Sequence, residues 1–218
     1  MDENLTKLNS IKIDQTIKAL KQNNIETLFF ESSEKACSWV ILHIKDGENI
    51  SCGGSVTLKQ TGILDIIQNE PYKFHSRYSS DKKERIKSVF CDTFFSSANA
   101  VTEHGELYCV DGAGSRIGPL IYGPEHVIFV VGINKIVPTL RDAVNRVKNI
   151  AAPANCLRLN VDSFCAKHGR CQSPTCHSEH LMSASPCSNS ICSFSTVFSK
   201  QMKKDRIKVL IINQTLGY

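Results

Sequence analysis

His126–Val131 reads HVIFVV, the most hydrophobic β-branched run in the chain. A strand that is apolar at every position has no side to offer water, so it suits the centre of a parallel sheet covered on both faces. The run ends in Gly132-Ile133-Asn134-Lys135, a turn. Pro138 then stands in the expected first turn of a helix over Thr139–Ile150. Arg206–Ile212 (RIKVLII) repeats the apolar pattern and predicts a second central strand.

Working outward, strand-like and helical segments alternate. Leu5, Leu8, Ile11, Ile17 and Leu20 mark one side of an opening amphipathic helix that stops at Gln22-Asn23-Asn24. Glu26–Phe30 reads as a strand, and Ser32-Ser33 with Glu34 opens a helix to about His43. Ile50–Cys52 is strand, Val56–Ile67 helix, and Asn69–Pro71 a turn, followed by an irregular stretch from Tyr72 to Ser80. Asp81–Val89 is a charged surface helix, Thr93–Ser96 and Leu107–Val110 are strands, and Ser115–Tyr122 is a helix. Such alternation implies an α/β domain with a mostly parallel sheet flanked by helices. The 218 residues suit a single domain spanning 1–218. The segment from about Ala152 to Ser199 breaks the pattern, being rich in Ser, Cys, His and Pro, and is read as an insert over about 160–199.

Composition narrows the function classes. Hydrophobic residues make up 41% and charged residues 22% of the chain, which implies a buried core. The net charge of +5 comes from 26 Lys and Arg against 21 Asp and Glu. Its two basic runs, Lys82–Lys87 and Lys203–Lys208, are each interrupted by an acidic residue, Glu84 or Asp205. That is a solvated surface and not a nucleic-acid footprint, so no nucleic-acid partner is expected. The polar N-terminus lacks a signal-peptide core and no run is long enough to span a bilayer. A cytoplasmic location is therefore expected, where clustered cysteines more often bind metal or do redox chemistry than form disulfides.

Three loops carry candidate chemistry. In Ser51–Thr57 (SCGGSVT), Gly53 and Gly54 allow close backbone approach to a ligand. Ser55 and Thr57 add hydroxyls at a helix start, where an anion is also favoured. A tight turn with Ser55 as N-cap explains the same residues. The lysine and spacing of a Walker loop are missing. The second loop runs from Ala98 to Gly105 and again from Asp111 to Gly118. Gly112, Gly114 and Gly118 come near a dinucleotide fingerprint but miss it, because Ile117 stands where the third glycine should be. Asn99 and Arg116 are candidate ligand-binding residues, the guanidinium gripping an oxyanion through paired N–H groups. Glu103, His104 and Asp111 are the available acid–base groups, Glu103 and Asp111 being the catalytic candidates; caps and turns are the plainer explanation of each. Asn134 and Lys135 follow the central strand, where ligands bind in open α/β sheets, although a surface lysine is an equal reading.

The insert carries five cysteines, Cys165, Cys171, Cys176, Cys187 and Cys192, spaced C-x5-C-x4-C-x10-C-x4-C, with His168, His177 and His180 among them. Thiolates at this density select zinc or an iron–sulfur cluster, and a bound metal would supply folding energy that an apolar-poor loop lacks. Reduced surface cysteines and a disulfide staple remain open as alternatives. Cys37, Cys91 and Cys109 lie in periodic segments and read as small buried hydrophobes; Cys52 and Cys156 are ambiguous.

The order of these segments resembles the LUD-domain (lactate-utilisation) family. The matching stretches are Ser51–Leu64, Ser96–Val137, Arg141–Leu159 and Arg206–Tyr218, which with the opening helix cover nearly the whole chain. The resemblance implies a fold like that of the glucosamine-6-phosphate isomerase, ribose-5-phosphate isomerase and CoA-transferase superfamily. It also implies a role in lactate oxidation beside iron–sulfur, flavin or cytochrome-linked electron-transfer partners. One branch of the family carries a motif resembling P-C-x5-C-x2-C-x5-C. Cys165 and Cys171 fit its first half and Cys187 and Cys192 resemble its end, while Gln172–Pro186, with Cys176, are extra.

Three functions follow as expectations. The first is a small-acid protein that binds a small anionic ligand and a metal or iron–sulfur centre. The second is a stand-alone enzyme of the isomerase or CoA-transferase kind. The third is a non-catalytic metal-binding or redox-sensing subunit.

Overall fold

A computed structural model describes residues 2–172, 187 and 189–218. The expected central strand is β7 (His126–Gly132), and it lies between β10 (Ile207–Ile212) and β4 (Thr93–Ser96). The remaining strands of this sheet are β1 (Glu26–Phe30), β2 (Asn49–Cys52) and β3 (Lys73–Phe74). The order is β1-β10-β7-β4-β2-β3, and every pairing is parallel.

Burial on both faces explains the unbroken apolar runs. Along β7, Val127, Phe129 and Val131 enter one core while Ile128 and Val130 enter the other. Ile207, Val209 and Ile211 of β10 divide from Leu210 and Ile212 in the same way. The first core is closed by Leu20 of α1 (Glu3–Gln22) and by Ile117 and Leu120 of α6 (Ile117–Ile121). The second is closed by α2 (Ser33–His43), α3 (Val56–Gln60) and α4 (Ile63–Ile67). The charged helix α5 (Lys82–Val89) leads into β4.

A second sheet, ordered β8-β5-β6-β9, contains β5 (Ala100–Thr102), β6 (Leu107–Asp111), β8 (Ile136–Val137) and β9 (Phe194–Phe198). It packs against α7 (Leu140–Arg146) through Tyr108, Val110, Ala143 and Val144. Helix α7 runs through a π-helical turn, Val147–Ala151, into α8 (Ala152–Arg158), and α9 (Phe164–His168) follows.

Several expectations need correction. Leu5, Leu8 and Ile11 are exposed, so only the later part of α1, with Ile13, Thr16 and Leu20, is buried. Val56–Ile67 is two helices, because Gly62 at φ 81° is left-handed and breaks the run. The helix after β7 continues to Arg158, the π turn shifting its hydrogen bonds just before Pro153, which has no N–H to give. Its N-cap is Thr139, in a capping box with Asp142, so Pro138 lies outside the first turn. Part of the segment 152–199 is regular in the described residues. It holds α8, α9 and β9, and β9 pairs with all five residues of β6. No helix among the described residues is long and apolar enough to cross a membrane.

Candidate functional site

A cavity of about 360 Å³ lies beyond the carboxyl ends of β2, β4 and β7. Its walls are Gly54–Thr57 after β2, Ser97–Asn99 after β4, Asp111–Arg116 after β6, and Lys135 in the turn after β7. Arg77, Tyr78, Asn155, Arg158 and Tyr218 complete it. Among the described residues its side chains therefore include four basic groups, Arg77, Arg116, Lys135 and Arg158, against a single carboxylate, Asp111.

That carboxylate is already committed. Asp111 accepts hydrogen bonds from the backbone N–H groups of Ala113 (3.3 Å), Arg116 (2.7 Å) and Ile117 (3.1 Å). Burial alone would push the carboxyl up, but these bonds and the Arg116 charge outweigh burial and hold it below its usual range. Arg116 is equally occupied. Its guanidinium donates to the Ser97 carbonyl (2.7 Å), Asn99 Oδ1 (2.9 Å) and the Val110 carbonyl (2.6 Å). Asn99 Oδ1 also accepts from the Val110 N–H at 2.8 Å, so Asn99 and Arg116 together tie the β4 loop to β6. Gly53 is required here, since a Cβ would stand 2.7 Å from Cγ and Cδ of Arg116. Gly54 faces Arg77 and Tyr78, and Gly112 packs on the Ile191 backbone.

Lys135 differs from its neighbours. It is 3% exposed, and its Nζ donates to Thr57 Oγ1 (2.9 Å), Ser97 Oγ (2.9 Å) and the Ala98 carbonyl (3.2 Å). All three partners are neutral. Burial, and then the positive charges of Arg146 and Arg116, bring the ammonium down to about 7. Arg146, itself buried, donates to the carbonyls of Asn134 (3.1 Å) and Asn99 (2.7 Å) and clamps the two loops together. Of the buried polar side-chain atoms described, Arg77 Nε and the Tyr218 hydroxyl make no hydrogen bond, and both residues line the cavity.

The structure thus brings Gly54, Ser55, Thr57, Asn99, Gly112, Arg116 and Lys135 together with Asp111, and Gly53 directly behind them. Ser55 caps α3 through the Leu58 N–H. Gly114, at φ 73°, shapes the turn beside Phe194. Asn134 points away and holds the C-terminal segment by its bonds with Leu216 N–H (3.0 Å) and the Gly217 carbonyl (3.3 Å). Glu103 lies at the far end of the β5–β6 hairpin, beside Lys12 at 3.9 Å, and does not border the cavity. His104 shares that distant turn, its carbonyl accepting from Asn23. Sequence reasoning missed Arg77, Ser97, Arg158 and Tyr218. Arg77 follows the two-residue strand β3, too short to signal itself by periodicity, and Arg158 sits on the helix extension beyond Ile150.

A second cavity, of about 290 Å³, adjoins the first and shares Ile191 as a wall. Cys156, Cys165, Cys171, Cys187 and Cys192 all line it, with Lys148 and Ser163. Cys176, His177 and His180 lie outside the described residues. Cys156, ambiguous in sequence, stands 3.7 Å from Cys165, sulfur to sulfur. Burial first, and then the neighbouring thiols, push Cys192 up to about 12, and burial raises Cys156 to about 11. With Zn–S bonds of about 2.3 Å, a tetrahedral site has sulfur–sulfur edges of about 3.8 Å. The Cys156–Cys165 pair fits one such edge. No group of three potential ligands is assembled among the described residues, so the thiols form a partial donor set. The nine described cysteines are all free; Cys91 and Cys109 are buried as expected, whereas Cys37 is only half-buried and donates to the Thr61 carbonyl.

A model of the LUD domain matches residues 13–212. A crystal structure of a DUF162-family protein from Deinococcus radiodurans superposes with a TM-score of 0.51 at 12% identity, covering 94% of this chain and 98% of that one. At this identity the likeness is one of fold. The β subunit of eIF2B from Chaetomium thermophilum matches over 50% of this chain and 44% of its own, at 15% identity and a TM-score of 0.33, which carries no argument. No curated protein matches the sequence.

Proposed function

Since the chain belongs to the LUD-domain family, we propose that it serves small-acid metabolism of the lactate-utilisation kind, binding a small 2-hydroxy or 2-oxo acid in the cavity at the carboxyl ends of the parallel strands. The observation that supports this is the charge imbalance of that cavity. Three guanidiniums and the Lys135 amine face one carboxylate side chain among the described residues, and that carboxylate is consumed by three backbone N–H bonds. A volume of about 360 Å³ lies at the small end of ligand pockets and admits a small organic acid.

The groups divide by task. Arg116 and Asn99 are spent on holding the walls, so they shape the cavity and set its potential. Arg77 is the freer guanidinium. It donates to Ser115 Oγ (3.0 Å) and Tyr78, lies over the Tyr78 ring, and keeps Nε unbonded. Arg77 is the group that would meet the ligand's carboxylate, with Lys135 beside it in the same cavity. Glu103 has no part in this reading, and Asp111 acts by capping the turn before α6.

The adjoining thiol cavity would hold zinc or an iron–sulfur centre through Cys156 and Cys165 with others of Cys171, Cys187 and Cys192. The donor chemistry and the Cys156–Cys165 spacing support this, and a centre there would sit next to the anion cavity across Ile191. When bound, it would supply structural cross-linking or an electron-transfer contact to a partner protein.

Isothermal titration of the full chain with lactate, pyruvate and phosphate tests the anion reading. Binding of at least one 2-hydroxy or 2-oxo acid is expected, weakened about tenfold or more in Arg77→Ala, the loss of a charge-assisted hydrogen bond of about 1.5–3 kcal/mol. Absence of heat with every acid, or binding unchanged in Arg77→Ala, would sink it.

A further inference from the structure

The best-placed nucleophile in the cavity is an amine. Lys135 follows directly on β7, the central strand, and its position is fixed from three sides by Thr57, Ser97 and Ala98. It is buried and yet borders the cavity, and no carboxylate is within ion-pair reach of it among the described residues. The titratable and charged groups acting on it are Arg146, Arg116 and the Cys109 thiol. Two of these are cations that repel an ammonium, and the thiol opposes them only weakly. A lysine so placed, desolvated and beside other cations, is the kind that forms imines with carbonyl substrates.

We propose that Lys135 forms a covalent imine with a small anionic carbonyl compound, a 2-oxo acid or an aldehyde acid, held in this cavity. The inference rests on the reading that the cavity binds a small organic acid. The Nζ lone pair adds to the carbonyl carbon, and the carbonyl oxygen takes up a proton to give a carbinolamine. The oxygen then leaves as water, carrying both hydrogens that Nζ loses, and the C=N double bond replaces C=O. No oxidant, reductant or metal is needed. Thr57 and Ser97, whose hydroxyls both contact Nζ, can pass protons between nitrogen and oxygen. Burial near neutral pH, with the amine brought down to about 7, leaves a large share of it with a free lone pair.

The test is reductive trapping on the full chain. The protein is incubated with pyruvate or glyoxylate and cyanoborohydride at neutral pH, then digested and mapped by mass spectrometry. A single adduct on Lys135 is expected, formed at least about tenfold faster than on any surface lysine, since an ordinary lysine is almost wholly protonated there. Lactate, which has no carbonyl, should slow it by competition. Lys135→Arg should abolish the adduct, and Ser97→Ala, a milder change, should slow its formation while the protein keeps its thermal midpoint within a few degrees. Adducts scattered over surface lysines, or pyruvate binding by titration with no adduct on Lys135, overturn the inference and leave the anion reading intact. Neither binding nor adduct overturns both.

Discussion

Arg116 is needed by the cavity without being free to bind in it. Sequence reasoning picked it as an oxyanion clamp, which its residue type allows. Its guanidinium instead bonds three protein acceptors, a fact set by tertiary packing and invisible in the chain. Gly53→Ala should therefore act through Arg116. The added methyl collides with mid-chain atoms whose far end is pinned, which costs about 1–3 kcal/mol in urea unfolding. Asp111→Ala should cost about 1–2 kcal/mol by removing a cap. Because the folded carboxyl titrates below its unfolded value, this contribution is present above about pH 4 and fades as pH falls through the folded value. The gap between wild type and variant should thus shrink in acid.

Lys135 gives a slope of the same sign in a higher window, there because a buried charge is relieved. Its folded value, about 7, lies below the unfolded value near 10.4, so unfolding takes up a proton between those limits. Stability from this group rises with pH across that window and is level below it. Wild type should gain on Lys135→Met between about pH 7 and pH 10, by something on the order of 2–4 kcal/mol, read from paired urea titrations. Parallel pH profiles for the two proteins would contradict the buried, unpaired state of the amine. The sequence placed Lys135 correctly at a strand's carboxyl end. Its burial depends on Thr57, Ser97 and Arg146, which are far apart in the chain.

At the scale of elements, the strands with strong local signals were legible. HVIFVV and RIKVLII need no partner to announce themselves, because both faces are apolar. The short strands β3, β5 and β8 were not, since two or three residues show no period and are formed by their neighbours. Strand β9, within a Ser- and Cys-rich segment, is likewise made by pairing with β6. Phe129 of β7 meets Phe198 of β9 edge to face at 5.9 Å and links the two sheets. Phe129→Ala should cost about 3–5 kcal/mol as a fully buried aromatic, and the half-buried Phe198 less. The capping box at Thr139 fixes the start of α7, so Thr139→Ala should lower stability by about 1 kcal/mol. Both are measured by equilibrium denaturation.

For the whole molecule, the alternation of strand and helix was enough to place a cavity at the carboxyl end of the sheet, as open α/β sheets do. What the chain did not reveal is that two cavities stand side by side, one cationic and one lined by thiols, sharing Ile191 and flanking α8. Cys156 joins the thiol cavity from that helix and not from the expected cysteine run. If the thiols hold metal, Cys156→Ser and Cys165→Ser should each lower the zinc or iron bound per chain after anaerobic purification. Unchanged metal content in both would remove Cys156 and Cys165 from the ligand set. The measurement that bears most directly on the cationic cavity is a crystal structure of the full chain with pyruvate. Electron density for the acid among Arg77, Thr57 and Lys135 is the predicted result. Pyruvate bound elsewhere, or a cavity holding only water at saturating pyruvate, would contradict it.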